Sequence, residues 1–156
     1  MRDGVGEGRG TGRAFFMSRF EEPTLALLRV VAALMFMQHG VQKLFGWLGG
    51  WRGDPGATAP LFSQSGLAGV LEVFGGALLA MGLFTRPVAF ILSGMMAVAY
   101  FQSHAPNGFW PILNRGELAA LYCFLFFYFS ARGGGRYSVD GVLARRRQAE
   151  RLDLPR

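Results

Sequence analysis

The first long apolar run of the chain, LALLRVVAALMFMQHGVQKLFGW, occupies residues 25–47 and decides the fold. A transmembrane helix needs about 20 predominantly apolar residues, and this run supplies them. Its second half nevertheless carries four polar side chains, Gln38, His39, Gln42 and Lys43. Polar groups at membrane depth are costly unless they are paired or hydrated, and they usually face the interior of a helix bundle. The run therefore predicts a membrane helix with a polar site near one end.

Three further windows have the same apolar character: 66–84, 87–104 and 117–131. Pro87 suits the first turn of a helix, where its missing N–H costs nothing, so the second and third windows are predicted to form a tight helical hairpin. The fourth window is short, with a rise of about 22 Å at 1.5 Å per residue, and depends on its polar ends. Together with 25–47, these windows predict an all-α integral membrane four-helix bundle.

The basic residues predict how the bundle is oriented. Four of the 16 Lys and Arg residues precede residue 20 and seven follow residue 131. With both termini cytoplasmic, the inner side carries 12 basic residues and the outer side only three, Lys43, Arg52 and Arg115. Because cytoplasmic loops are enriched in Lys and Arg, we expect a multi-pass protein of the inner (plasma) membrane with cytoplasmic termini. The net charge of +6 then suits an anionic leaflet, and no nucleic acid partner is expected.

The chain divides by composition into three parts. Residues 1–22 are rich in Gly and Arg, which predicts a disordered cytoplasmic tail. Residues 23–132 form the predicted transmembrane domain, whose first span serves as an uncleaved signal anchor. The cleavage-like ATA at 57–59 lies too far from the apolar run for a signal peptide. Residues 133–156 form a basic cytoplasmic tail, in which 142–152 are predicted to be an amphipathic helix suited to anionic lipid, to an acidic partner or simply to topology anchoring.

The predicted orientation gathers most of the polar groups at membrane depth in the outer half of the bundle. Carboxylates, imidazoles and amines there can exchange protons with a substrate. The candidate catalytic residues are His39, Lys43, Glu72 and Glu117. The candidate ligand-binding residues are Gln38, Gln42, Gln102, His104, Asn114 and Arg115. Each has a structural alternative, such as an interfacial side chain or an ion pair that only stabilises the bundle.

Glu72 is the hardest of these residues to explain by structure alone. Gly69 and Gly76 lie about one turn to either side of it, and small residues let a second helix approach closely. We therefore expect Glu72 to face protein, where it must be protonated or paired with a cation such as Lys43 or Arg115.

The single cysteine and the two histidines of the chain limit which redox reactions and metal sites it can support. Cys123 is the only cysteine, which excludes an internal disulfide or dithiol pair. Any redox reaction would need a cofactor, a lipid-borne substrate or a partner's thiols. No metal site is predicted, and haem between His39 and His104 is a weak alternative because the two rings would have to face each other. Arg29 is expected to anchor at the inner surface or to pair with Glu21 or Glu22.

Four segments carry a resemblance to a known family: LLRVVAALMFMQHGVQKLFG, LEVFGGALLAMGLFTRPVA, NGFWPILNRGELAALY and GGGRYSVD. With them the chain resembles the DoxX family of small four-helix bacterial membrane proteins over residues 25–140. The resemblance implies a link to a thiosulfate:quinone oxidoreductase, or to membrane complexes that join a thiol sulfurtransferase and a superoxide dismutase. The positions in play are His39, Lys43, Glu72 and Glu117, flanked by Arg29 and Arg86.

Two functions of different classes follow. In the first, the chain is a membrane subunit of a quinone-linked thiosulfate or thiol oxidoreductase that works with soluble redox partners. His39 or Lys43 would then bind a quinone oxygen, while Glu72 or Glu117 exchanges the proton. In the second, the chain is a non-enzymatic binding or assembly protein that recognises a lipid or anchors soluble partners on its basic tail. Oligomers fit either function, and a transporter would require them.

Overall fold

The computed structural model describes residues 19–152, and all regular structure in that range is helical. The helices are α1 (Glu21–Phe45), α2 (Gln64–Met81), α3 (Thr85–Ala99, continued by a π-helical turn at Tyr100–His104), α4 (Pro111–Asn114), α5 (Glu117–Arg132) and α6 (Val139–Leu152). A second π-helical turn, Leu71–Gly75, interrupts α2. A helix occupies each of the predicted windows 25–47, 66–84, 87–104 and 117–131, with ends that agree to within a few residues.

Three helices in the described range are long and apolar enough to cross a membrane: Arg19–Phe45, Gln64–Met81 and Thr85–Asn107. The α5 helix has 16 residues and falls short of the roughly 20 that a perpendicular span requires. The structure thus shows an all-helical chain with three candidate membrane spans. The tail predicted to be disordered comprises residues 1–22, and residues 1–18 of it lie outside the described residues. Its last two residues, Glu21 and Glu22, belong to α1.

The helices meet in an aromatic and aliphatic core. Phe36 of α1 packs edge-on against Tyr122 and Phe126 of α5, with ring centroids 5.2 and 4.9 Å apart. Leu79 of α2 and Leu92 of α3 complete this buried cluster. Lipid tails are as apolar as these side chains, so such a core stabilises a membrane protein through close packing rather than through the hydrophobic effect.

Glycines bring α1 and α2 together. A Cβ atom on Gly40 of α1 would lie 2.7 Å from the carbonyl oxygen of Gly69 and 2.8 Å from the Cβ of Glu72. On α2, Gly76 lies directly against Met37. The small-residue surface predicted around Glu72 therefore packs against α1, and it brings the Glu72 side chain next to that helix.

We call the end of the molecule that holds segments 46–63 and 105–116 the long-loop end, and the opposite end the hairpin end. The α2 and α3 helices pack together in the half near the hairpin end, where Gly75 lies against Leu92. They diverge towards the long-loop end. At the hairpin end, Asp140 of α6 accepts hydrogen bonds from the backbone N–H groups of Phe84 (2.9 Å) and Thr85 (2.8 Å), so the C-terminal segment caps α3.

Candidate functional site

The divergence of α2 from α3 leaves a cavity of about 940 Å³ in the half of the molecule near the long-loop end. The residues that line the cavity come from α1, α2, α3 and α5, together with Arg115 just before α5. Five of the residues predicted to form a site line it: His39, Lys43, Glu72, His104 and Arg115. The other lining residues are mostly apolar. An apolar cavity with a few convergent polar groups is the usual form of a small-molecule site.

An ion pair between α1 and α2 lies in this cavity. Lys43 Nζ and Glu72 Oε1 are 2.5 Å apart, and the two side chains are 25% and 3% exposed. The pairing expected for Glu72 is thus confirmed, with Lys43 as the cation. The second oxygen, Glu72 Oε2, is buried and has no hydrogen-bond partner among the described residues. An unsatisfied buried acceptor is costly, so Oε2 is available to a donor that enters the cavity.

Both π-helical turns of the described chain border the cavity. Glu72 belongs to the turn at Leu71–Gly75, and His104 ends the turn at Tyr100–His104. A π-helical turn widens the helix locally and is frequent at functional sites. Both Glu72 and His104 therefore point into the space between the helices. Neither π-helical turn was predicted from the sequence.

His104 and Arg115 form the part of the lining nearest the long-loop end. The Nδ1 atom of His104 lies 3.1 Å from the Asn114 carbonyl oxygen, and its ring stacks on Tyr100. When Nδ1 donates to that carbonyl, Nε2 is left as an acceptor. Arg115 has a left-handed backbone (φ +59°) and an exposed guanidinium with no hydrogen bond or ion pair to another described residue. Left-handed non-glycine residues are strained and concentrate at functional sites.

Apolar side chains connect the cavity with the surface between α2 and α3. Leu67, Leu71, Ile91 and Val98 line the cavity and are also exposed on the outside of the molecule. We call this opening the lateral window. A hydrogen bond from the side-chain amide of Gln64 to that of Gln102 links α2 and α3 at the long-loop end of the window. The window thus opens sideways, towards the position of lipid around membrane helices.

The remaining predicted site residues do not line the cavity. Gln38 is exposed on α1, and Glu117 is exposed at the start of α5. Gln42 donates to the Leu48 carbonyl, and Gln102 is engaged with Gln64. Asn114 is buried and holds its loop by donating to the Gly108 carbonyl (2.6 Å) and accepting from the Gly116 N–H (2.7 Å).

Tyr122 lines the cavity and was not among the predicted site residues. It lies on the buried face of α5 with Ala119, Phe126 and Phe129, and this helical spacing is the signal that could have found it. The cysteine plays no visible part. Cys123 accepts a hydrogen bond from Ser93 through its carbonyl, and it does not line the cavity. Within the described residues, no three His, Cys, Asp or Glu side chains are grouped to hold a metal ion.

The expectation for Arg29 was wrong. Its side chain is only 2% exposed, and it donates from Nη2 to the Tyr137 carbonyl (2.8 Å) instead of reaching the surface. Glu22 pairs with Arg132 at 2.5 Å. Arg29 therefore ties α1 to the segment that precedes α6. The sequence could not show this contact because the two residues are 108 positions apart.

Comparisons with known proteins place the chain among membrane proteins. Residues 24–105, which include most of α1 and all of α2 and α3, match the family model described as DoxX. An uncharacterized protein of Haemophilus influenzae is 44% identical over 128 residues, which cover 80% of this chain and 93% of that protein. An uncharacterized membrane protein of Mycobacterium tuberculosis is 30% identical over 145 residues, covering 81% and 85%. No solved structure matches.

Proposed function

Because the chain belongs to the DoxX family, we propose that it is a membrane subunit of a quinone-linked oxidoreductase complex whose electrons come from thiosulfate or a thiol. In this proposal the cavity holds the polar head of the quinone. The isoprenoid tail leaves through the lateral window and lies between α2 and α3. Soluble partner proteins carry the sulfur chemistry, since the only cysteine of this chain lies away from the cavity.

The proposal includes a four-helix bundle in the inner (plasma) membrane with both termini cytoplasmic, so the long-loop end is the outer end. The α5 helix is the fourth span. Its buried face packs along α3, and its length of about 24 Å at 1.5 Å per residue suits a locally thinned bilayer or snorkelling ends. The excess of basic residues near the termini supports this orientation.

The observation that carries the proposal is the state of Glu72. One carboxylate oxygen is paired with Lys43 at 2.5 Å, and the other is buried in a cavity wall without a hydrogen-bond partner in residues 19–152. A carboxylate so placed can accept a hydrogen bond from a quinol hydroxyl, and His39 or Lys43 can donate to a quinone carbonyl. The apolar lateral window suits a ligand that arrives from lipid.

The chemistry requires two electrons and two protons for each quinone reduced to quinol. Two thiols that form a disulfide on a partner release two electrons and two protons, which balances the reduction. Glu72 and His39 would each take up one proton and pass it to a quinone oxygen, since a protonated side chain within hydrogen-bond reach can act as a general acid. Arg115, free of partners among the described residues, would attract an anionic sulfur substrate to the outer end.

A binding or assembly protein without turnover is the second candidate, and one observation favours it. The Lys43–Glu72 pair joins α1 to α2, so it can serve to fix the two helices. In that case the cavity holds a lipid as a structural ligand, and the partners dock on the exposed basic helix α6.

Mass spectrometry of the organic extract from detergent-purified protein tests the proposal. We expect a stoichiometric quinone in the unmodified chain and its loss from Glu72→Gln and His39→Ala. Glu21→Gln is the matched control, because it makes the same carboxyl-to-amide change on an exposed residue at the hairpin end. A retained phospholipid, or no ligand at all, with the cavity variants only less stable, would reject the redox proposal in favour of assembly.

A further inference from the structure

Among the described residues, the C-terminal helix α6 is attached to the rest of the molecule through its first half. The Asp140 N–H donates to the Gly82 carbonyl at 3.0 Å, and its carboxylate caps α3. Arg29 holds the Tyr137 carbonyl, and Ser138 caps the first turn of α6 through the Gly141 N–H. The start of α6 is thereby fixed at the hairpin end, level with the ends of the membrane helices.

Beyond this attachment, the described residues leave α6 uncovered. Every side chain from residue 144 to residue 152 is exposed, and the side-chain hydrogen bond of this stretch to another described segment is that of Arg145 to the Arg136 carbonyl. An isolated helix of 14 residues is only marginally stable in water, where helices shorter than about 12 to 15 residues rarely persist. A second surface is therefore needed to hold the helix.

The side chains of α6 indicate what that surface is. The exposed stretch 144–152 contains one acidic residue, Glu150, and four arginines: Arg145, Arg146, Arg147 and Arg151. Exposed apolar side chains accompany them, with Val142 and Leu143 near the attached end and Leu152 at the far end. Clustered arginines beside exposed aliphatic residues are typical of helices that lie in the interface of an anionic membrane.

We propose that α6 is an interfacial helix that binds anionic phospholipid headgroups at the hairpin end of the molecule. Its attachment to the first turn of α3 starts it at the level of the headgroups, and its length of about 21 Å at 1.5 Å per residue lets it reach several of them. Val142 and Leu143 enter the boundary with the acyl chains. The proposal does not depend on the ligand of the cavity.

Hydrogen–deuterium exchange of the full chain in nanodiscs tests this proposal. One preparation contains phosphatidylcholine alone, and the other contains phosphatidylcholine mixed with phosphatidylglycerol. We expect the α6 amides to exchange about tenfold more slowly in the anionic discs, and high salt should remove the difference because it screens the headgroup charges. The amides of α5 provide the internal reference.

The variant for this experiment combines Arg146→Gln, Arg147→Gln and Arg151→Gln. Arg145 is left unchanged because it donates to the Arg136 carbonyl within the protein. We expect the variant to lose the protection given by anionic lipid, and the same three changes to Lys to retain it. Equal exchange in the two lipids, or protection that survives the three Gln changes, would overturn the proposal. An acidic protein would then be the better candidate partner.

Discussion

The two ends of the molecule each bury a charge, but in different surroundings. At the long-loop end, Glu72 lies in the wall of a large cavity, with Lys43 as its partner and with one oxygen that no described residue hydrogen-bonds. At the hairpin end, Arg29 donates to the Tyr137 carbonyl, and Gly82 lies directly against both its guanidinium and Ser138. The first charge has room for a ligand and the second does not.

The two charges show what separates a buried charge that can bind a ligand from one that only holds the fold. Both Arg29 and Glu72 have side-chain atoms without hydrogen-bond partners among the described residues, so an unsatisfied atom alone does not distinguish them. The open space next to Glu72 does. In the proposed function, the hairpin end holds the helices together and the long-loop end binds the ligand.

The largest expected effect is at the hairpin end. Arg29→Gln removes the bond to the Tyr137 carbonyl and leaves the nearby Asp140 without a counter-charge. Breaking one member of a buried charged set typically costs about 3 kcal/mol, and we expect that loss in the free energy of unfolding in detergent. Arg86→Gln is the matched control, because Arg86 is exposed at the same end, and it should change stability by less than about 0.5 kcal/mol. Equal effects would contradict the structural assignment of Arg29.

The second-largest effect is expected for the Lys43–Glu72 ion pair at the long-loop end. Its contribution to stability can be measured separately from its contribution to ligand binding. Lys43→Met leaves Glu72 buried without a cation, and we expect a loss of about 2 kcal/mol. Adding Glu72→Gln to the same chain removes the unpaired charge and should restore most of that stability, whereas the extracted ligand stays absent. Thermal unfolding and extraction from the same samples measure both quantities. If the double variant is less stable than Lys43→Met alone, the pair does not act as a unit.

The positions of the helices and part of the candidate site could be predicted from the sequence. The apolar runs are long and end at Gly, Pro or charged residues, so the positions of the helices could be predicted to within a few residues. The cluster of His39, Lys43 and Glu72 followed from the direction of successive spans, since neighbouring antiparallel helices bring those positions to one depth. The seam at Gly69 and Gly76 correctly indicated that Glu72 faces protein.

Other features depend on contacts that no local pattern carries. The π-helical turns at Glu72 and His104 arise from packing. The burial of Arg29 and the capping of α3 by Asp140 depend on a C-terminal segment that folds back onto the hairpin. Ser138, by contrast, caps the first turn of α6 through the Gly141 N–H, and a contact this local can be carried by a sequence pattern.

A smaller, pH-dependent effect sharpens the account of the hairpin end. Burial raises the pKa of Asp140, but the hydrogen bonds from the backbone N–H groups of Thr85 and Phe84, together with the positive charge of Arg29, outweigh it, and the pKa lies below its ordinary 3.8. A carboxyl whose pKa is lowered on folding stabilises the protein above its unfolded-state pKa, and this contribution is lost as the pH falls through the folded-state pKa.

Asp140→Asn should therefore cost about 1 kcal/mol at neutral pH, as expected for a weakened helix cap. The difference from the unmodified chain should shrink as the pH falls below 3.8. Unfolding titrations across that range in one detergent measure it. A difference that stays constant with pH would show that the carboxylate charge is not what stabilises α3.

The smallest effect is expected at Glu117, which tests whether the cavity marks the limits of the site. Glu117 was predicted to be catalytic from its position at the entry to the fourth span, but it is exposed and does not line the cavity. Glu117→Gln should change stability by less than about 0.5 kcal/mol and leave the extracted ligand in place, whereas Glu72→Gln removes it. Loss of the ligand from both variants would mean that the site extends beyond the cavity to the first turn of α5. A carboxylate there would then exchange protons with the outer surface, and Glu72 would be the inner member of a two-carboxylate path.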